Sequence, residues 1–364
     1  MSTIPTYFSD FISNIRLPRD LEDELKIAHK ELRERLRDDE ITKDLLVESF
    51  LQGSYRRGTS IKPESGHKVD VDVIAVTNID HSVTTPKETF DMVMPFVEKY
   101  YDDYRQQSRS IGIILDKVDM DLVITAAPSE ETKSEIRKAN LSEAFNVDDL
   151  YAMNKSIRIS DGIIAQESFF QMDDKSSWRE EPLLIPDYDD NEWHRTHPLE
   201  QIRWTREKNQ LCYGNFTHVV KALKWWKRLS MPGIKNPKSY PLEHFIGNCC
   251  PNGITSIAQG ITETLDYIVI HHPTKPFLAD RGVPEHDVFG KLTEDEYHVF
   301  YLNVKKFAPI AKAAFESESI SESVELWRAF FMNCEEFPKY SGPQTGGFTQ
   351  RTQPATAIPT GRFG

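Results

Sequence analysis

Apolar positions recur at mostly helical spacing from Asp20 to about Arg37, where Leu21, Leu25, Ile27, Ala28, Leu32 and Leu36 are interleaved with charged residues. The spacing predicts a long amphipathic helix that begins the fold, with Asp20 as its N-cap. Residues 46–54, LVESFLQGS, read as a strand running into a Gly-Ser turn, and a basic loop rich in turn formers, SYRRGTSIKPESGHK, follows. VDVDVIAVT (69–77) alternates apolar residues with Asp70 and Asp72 before becoming wholly apolar, the pattern of a strand buried along one face and ending in a site. Residues 86–107 read as a helix, and ILDKVDMDLVITAAP (114–128) as a second strand of similar character. Helix, strand, Gly-Ser, strand, helix, strand in that order describe an α+β fold, a mixed sheet with helices packed on it.

From about residue 160 the texture changes to a polar, Trp-rich connection, then to helical patterns at 200–230, 240–270, 293–316 and 318–335. Three parts are therefore expected: a core with its long N-terminal helix over 1–160, a mainly helical lobe over 161–338, and a flexible tail over 339–364. The tail, rich in Gly, Pro, Thr and Gln, has little to bury.

Composition narrows the function. The chain has 364 residues with 44 basic and 57 acidic side chains, a formal charge of −13, which argues against a long nucleic-acid partner held by a broad basic field. The cysteines Cys212, Cys249, Cys250 and Cys334 form no CxxC pair, as expected of a reducing cytoplasm. No segment has the unbroken apolar run of a signal peptide or membrane span, so a cytoplasmic protein is expected.

Residues two apart on a strand share a face, so Asp70 and Asp72 place two carboxylates about 6–7 Å apart along one edge. Two-ion phosphoryl transfer needs carboxylates that hold Mg²⁺ ions about 3.5–4 Å apart, with Mn²⁺ as an alternative ion. Asp121, entering the apolar run MDLVITAA, is the natural third ligand, with Asp119 on the same face as runner-up. The turn at Gly53 and Ser54 offers backbone N–H groups and a hydroxyl for a triphosphate, and glycine lets the backbone approach closely. A DxD is more often a solvated edge and a Gly-Ser pair a plain turn; the weight lies in the ordered set. His194 with His197 and His271 with His272 lack a companion set of metal ligands.

These motifs, LQGSYRRGTSI with VDVDVIAV and then VDMDLVITAAP, resemble the DNA polymerase β-like nucleotidyltransferases. They resemble specifically the bacterial CD-NTase family, cyclic-oligonucleotide synthases related to animal cyclic GMP-AMP synthase and oligoadenylate synthase. The resemblance implies a polymerase β-like core and an oligoadenylate-synthase-like helical lobe. HVVKALKWWKR (218–228) is similar to the family helix ending in Lys-x-Trp, which places the triphosphate contact on Lys224, with Lys221 a weaker second. KSYPLEHFI (238–246) is similar to the family's Ser-Tyr pair, which gives Ser239 a phosphate and Tyr240 the donor base. His244, Cys249 and Cys250 do not match the zinc insertion of the animal enzyme, because they follow the Lys-x-Trp helix and no further Cys lies near.

The family implies synthesis of a purine-containing cyclic di- or trinucleotide from ATP and GTP, with release of pyrophosphate, in antiphage (CBASS) signalling. A linear nucleotidyltransferase and a non-catalytic nucleotide sensor are the alternatives. Some bacterial relatives sit in antiphage operons with ubiquitin-transfer-like E1/E2 enzymes that join the synthase's C-terminal residue to a target. The resemblance places that role on the unhindered Gly364, with a plain disordered terminus as the alternative.

Overall fold

The structure is a computed structural model that describes residues 2–139 and 181–342. The boundary expected near residue 160, and Gly364, lie outside the described residues. Helix α1 (Pro5–Ile15) and helix α2 (Arg19–Asp38) lead into strand β1 (Leu46–Gln52), a single turn of helix α3 (Gly53–Arg56) and strand β2 (Val69–Thr77). Helix α4 (Pro86–Tyr100) precedes strands β3 (Tyr104–Gln106), β4 (Ile111–Ile114) and β5 (Val118–Ala126) and helix α5 (Glu130–Ala139). Past the undescribed stretch come strands β6 (Leu183–Asp187) and β7 (Glu192–Thr196) and helices α6 (Pro198–Leu211), α7 (Phe216–Ser230) and α8 (Ser239–Cys249). Helices α9 (Ile257–His271), α10 (Glu294–Glu316) and α11 (Ile320–Phe330) complete the described chain.

The sheet is mixed, as the sequence pattern requires. Its order is β1-β2-β5-β4-β3, with β2 parallel to β5 and the other neighbours antiparallel, and the β6-β7 hairpin joins through β5. Strand periodicity then sorts the side chains. Val69, Val71 and Val73 of β2 and Val118, Met120 and Leu122 of β5 point to one face, where Leu25 and Leu32 of α2 and Phe90 and Phe96 of α4 bury them. The opposite face begins with aspartates and continues into Ile74 and Val76, which pack with Phe50, Ile136 and Leu199. Half of that face is therefore core and half is open for chemistry.

Several boundaries differ from the sequence reading. A helix precedes the long one: in α1, Tyr7, Phe8, Phe11, Ile12 and Ile15 form an apolar stripe, broken in sequence by Ser, Asp and Asn. The long helix starts at Arg19 and its N-cap position is Pro18, so Asp20 lies in the first turn, where it complements the helix dipole instead of capping. The expected helix 86–107 stops at Tyr100, and its last residues form β3. The expected strand 114–128 begins inside a β4-β5 hairpin. The polar connection holds a further hairpin, turned at Asn191, whose φ of 59° is left-handed.

The helical lobe has its own aromatic core. Trp226 stacks on Phe330 at 5.8 Å, and Phe8 of α1 lies 5.0 Å from Trp327 and 5.4 Å from Phe337. Thus α1 packs into the helical lobe whereas α2, only three residues further on, packs on the sheet. Among the described residues no helix is long and apolar enough to cross a membrane.

Candidate active site

Parallel pairing of β2 with β5 sets Asp70 opposite Asp119 and Asp72 opposite Asp121, so four carboxylates gather on one face. Among the described residues, no hydrogen bond reaches the carboxylates of Asp70 or Asp72. Asp121 accepts one from Gln107 Nε2 at 2.7 Å, and Asp119 lies 3.8 Å from Lys68 Nζ. Gly112, opposite Asp121, leaves room for this contact: a Cβ there would stand 2.7 Å from Gln107 Nε2.

The cluster is electrostatically strained. Burial, followed by repulsion from Asp121, pushes Asp72 up to about 6, even though Arg57 pulls the other way. Burial together with Asp119 and Asp121 raises Asp70, and burial raises Asp121 against the hydrogen bond from Gln107. Crowded, under-neutralised carboxylate oxygens are the donor set of a hard divalent cation.

Gly53 is fitted to this cluster. Its φ is +80°, a left-handed value that glycine adopts without strain, and a Cβ on it would stand 1.9 Å from Asp72 Oδ2. Strand β1 pairs Gln52 with Asp72, so the chain turns directly beside the carboxylate. Ser54 starts the next turn, with its Oγ 3.0 Å from Ser60 Oγ.

The expected contacts from the helical lobe divide into two groups. Lys224 Nζ donates to the Thr59 carbonyl at 3.0 Å and to Glu243 Oε1 at 2.9 Å, while Ser239 Oγ lies 3.4 Å from the same oxygen. Tyr240 donates its hydroxyl to Asp280 at 2.8 Å, and its ring faces Arg57 at 5.2 Å. Lys224 and Tyr240 thus meet the loop that follows Ser54, and Ser239 reaches it through Glu243. Lys221 lines a cavity of about 820 Å³ between α1, α2 and α7, with Arg16, Arg19 and His218; Gly58 and Ser60 of the same loop border it, and none of the four aspartates does. Burial and then its cationic neighbours Lys224 and Arg16 lower Lys221 to about 8.

Two features escaped the sequence reading. Glu243 and Arg57, 186 residues apart, form a buried ion pair at 3.1 Å. His194 does have companions: one ligand atom from each of Asp187, Asp190 and His194 lie within 4.8 Å of one another, a set that fits a metal site. Within it, Asp187 accepts from Ser108 and Arg109, and His194 contacts Asp190 at 2.8 Å. The signal was Asp189-Asp190-Asn191, turn formers between two short alternating runs.

Similarity to known proteins places this geometry. Residues 1–143 match the Second Messenger Oligonucleotide or Dinucleotide Synthetase domain. The chain is 41% identical to a cyclic AMP-AMP-GMP synthase of Enterobacter hormaechei subsp. hoffmannii, across 98% of both chains. The chain belongs to this synthetase family. It is a nucleotidyltransferase of the CD-NTase type that makes a cyclic oligonucleotide from nucleoside triphosphates, as its motifs led us to expect. The synthetase shares its fold with solved structures at much lower identity. Against the cyclic AMP-GMP synthase DncV of Vibrio cholerae, in complex with nonhydrolyzable GTP, the TM-score is 0.63 at 12% identity, covering 91% of this chain and 96% of that one. Against CdnC of E. coli MS115-1 with ATP it is 0.62 at 14% identity, covering 93% and 100%.

Proposed function

We propose that Asp70, Asp72 and Asp121 hold two Mg²⁺ ions and that Gly53, Ser54, Lys224, Ser239 and Tyr240 hold a purine nucleoside triphosphate beside them, with Lys221 at the margin. The observation that carries this reading is the face of repelling carboxylates with Gly53 turned against Asp72. When bound, the ions lower the pKa of an attacking ribose hydroxyl and neutralise the pyrophosphate that leaves. The chain's own residues do the rest. Gln107 fixes one oxygen of Asp121, Gly53 lets the backbone close on the site, the Lys224 ammonium meets phosphate charge, and the Tyr240 ring stacks on a base.

On this reading residues 1–160 supply the ion ligands and residues 161–338 most of the nucleotide contacts. The substrates are ATP and GTP, and the product is a cyclic trinucleotide of two adenylates and one guanylate, the product named for the 41% identical relative. The setting is antiphage signalling. Incubation with all four NTPs and Mg²⁺, followed by liquid chromatography and mass spectrometry, tests the reading. A phosphatase-resistant oligonucleotide that vanishes in Asp70→Asn/Asp72→Asn supports it, and no such product from the wild type refutes it.

We further propose that the tail, residues 339–364, presents Gly364 to an E1/E2-like ubiquitin-transfer enzyme. An unhindered glycine suits acyl transfer; of the proposed tail, residues 339–342 are described, and Tyr340 there packs against the helical lobe. Co-expression with such an enzyme should yield a high-mass adduct that deletion of Gly364 removes.

A further inference from the structure

We propose that Glu243 is the positioning residue of the nucleotide pocket, acting through Lys224; this rests on the reading that Lys224, Ser239 and Tyr240 hold the donor. Glu243 occupies the second turn of α8, where a charged residue in SYPLEHF would ordinarily face water. Its side chain is instead only 7% exposed and its carboxylate is fully engaged. Oε2 accepts from Arg57 Nε at 3.1 Å and Thr59 Oγ1 at 2.8 Å, and Oε1 accepts from Lys224 Nζ at 2.9 Å, with Ser239 Oγ at 3.4 Å. Burial alone would raise this carboxyl, but Lys224 and Arg57 overcome burial and hold it below the ordinary range.

Apart from Lys221, each residue assigned to the nucleotide is linked to this carboxylate directly or through one neighbour. Ser239 and Lys224 touch it directly. Arg57 links it to the Tyr240 ring, and Thr59, whose N–H donates to the Ser54 carbonyl at 2.9 Å, links it to the Gly-Ser turn. The stoichiometry is informative too. An ammonium has three N–H donors, and Lys224 uses two, on Glu243 and the Thr59 carbonyl, which leaves one for a phosphate oxygen. Two acceptors at fixed places also fix the direction of the third donor. Two buried cations, Arg57 and Lys224, meet at this one carboxylate, and both are also felt by the aspartate face, Arg57 at Asp72 and Lys224 at Asp70.

A contact kept from ground state to transition state sets KM and leaves kcat alone. Steady-state kinetics in ATP on Glu243→Gln, Glu243→Asp, Lys224→Met and Lys224→Met/Glu243→Gln therefore test the inference. Glu243→Gln is expected to raise KM about tenfold, with kcat changed less than about threefold. Glu243→Asp should restore most of the loss, and Glu243→Gln should add less than about twofold once Lys224 is absent. A fold effect would instead appear in both kinetic constants and be equally large without Lys224.

If Glu243→Gln does not fold, Thr59→Val removes one donor to Oε2, together with the longer 3.3 Å contact of the same hydroxyl to the Ser54 carbonyl, and a KM increase of about threefold that disappears in the Lys224→Met background is the corresponding expectation. An unchanged KM in Glu243→Gln, or an equal added increase without Lys224, overturns the positioning role. An unchanged KM in Lys224→Met overturns the nucleotide reading beneath it, which separates the two failures.

Discussion

Replacing Asp72 by Asn should stabilise the metal-free synthetase while abolishing its activity. The substitution keeps shape and removes charge. In the folded protein the Asp72 carboxyl stands at about 6 against an ordinary 3.8, chiefly because of burial and then Asp121. At about 1.36 kcal/mol for each pH unit, the ionised group opposes folding by roughly 3 kcal/mol, an upper figure that relaxation of the site reduces to about 1–3 kcal/mol. For a protein of 364 residues that corresponds to a melting temperature roughly 1–4 °C higher. A carboxyl with a raised folded value opposes folding only when ionised, so the gain is full above about pH 6 and fades as the pH falls toward 3.8. Differential scanning fluorimetry in EDTA at pH 7.5 and in steps down to pH 4 reads this. Adding Mg²⁺ should then raise the melting temperature of the wild type and leave Asp72→Asn nearly unmoved. A melting temperature unchanged or lowered at pH 7.5, or a gain equally large at pH 4, would refute the electrostatic account.

Gly53→Ala places a methyl 1.9 Å from Asp72 Oδ2 at a left-handed φ, and product formation should fall at least about a hundredfold; activity near wild type would mean the turn can move away. Tyr240→Ala should raise KM for the donor about tenfold in nucleotide titrations, whereas Tyr240→Phe, which keeps the ring and loses the hydroxyl's contacts with Asp280 and His244, should change it less than about threefold. Phe8→Ala removes a ring packed on Trp327 and Phe337, and urea unfolding should show a loss of about 3–5 kcal/mol.

The carboxylate face was legible because strand periodicity alone puts Asp70 with Asp72 and Asp119 with Asp121, and the apolar flanks mark both segments as central strands. What periodicity does not carry is register between strands. That Asp72 meets Asp121, and Asp70 meets Asp119, emerges only from the sheet. Glu243 was hidden for a related reason: in sequence it is one polar residue in a helix, and its partners Arg57 and Thr59 lie 186 and 184 residues away. Helix α1 was obscured because its apolar stripe is narrow, short and interrupted by polar residues. The β6-β7 hairpin hid in a stretch whose Trp, His and Asp content reads as loop.

The parallel register of β2 and β5 has a consequence for how this protein can fail. A slip of β5 by one residue would carry Asp119 and Asp121 to the face packed by α2 and α4, and lift Met120 and Leu122 out of it. Two bare carboxylates would then sit in an apolar layer, a state too costly to persist. The aspartates that equip the site therefore also act as a registration key for the sheet. A misaligned chain is expected to be disfavoured during folding instead of accumulating as an inactive look-alike of the enzyme.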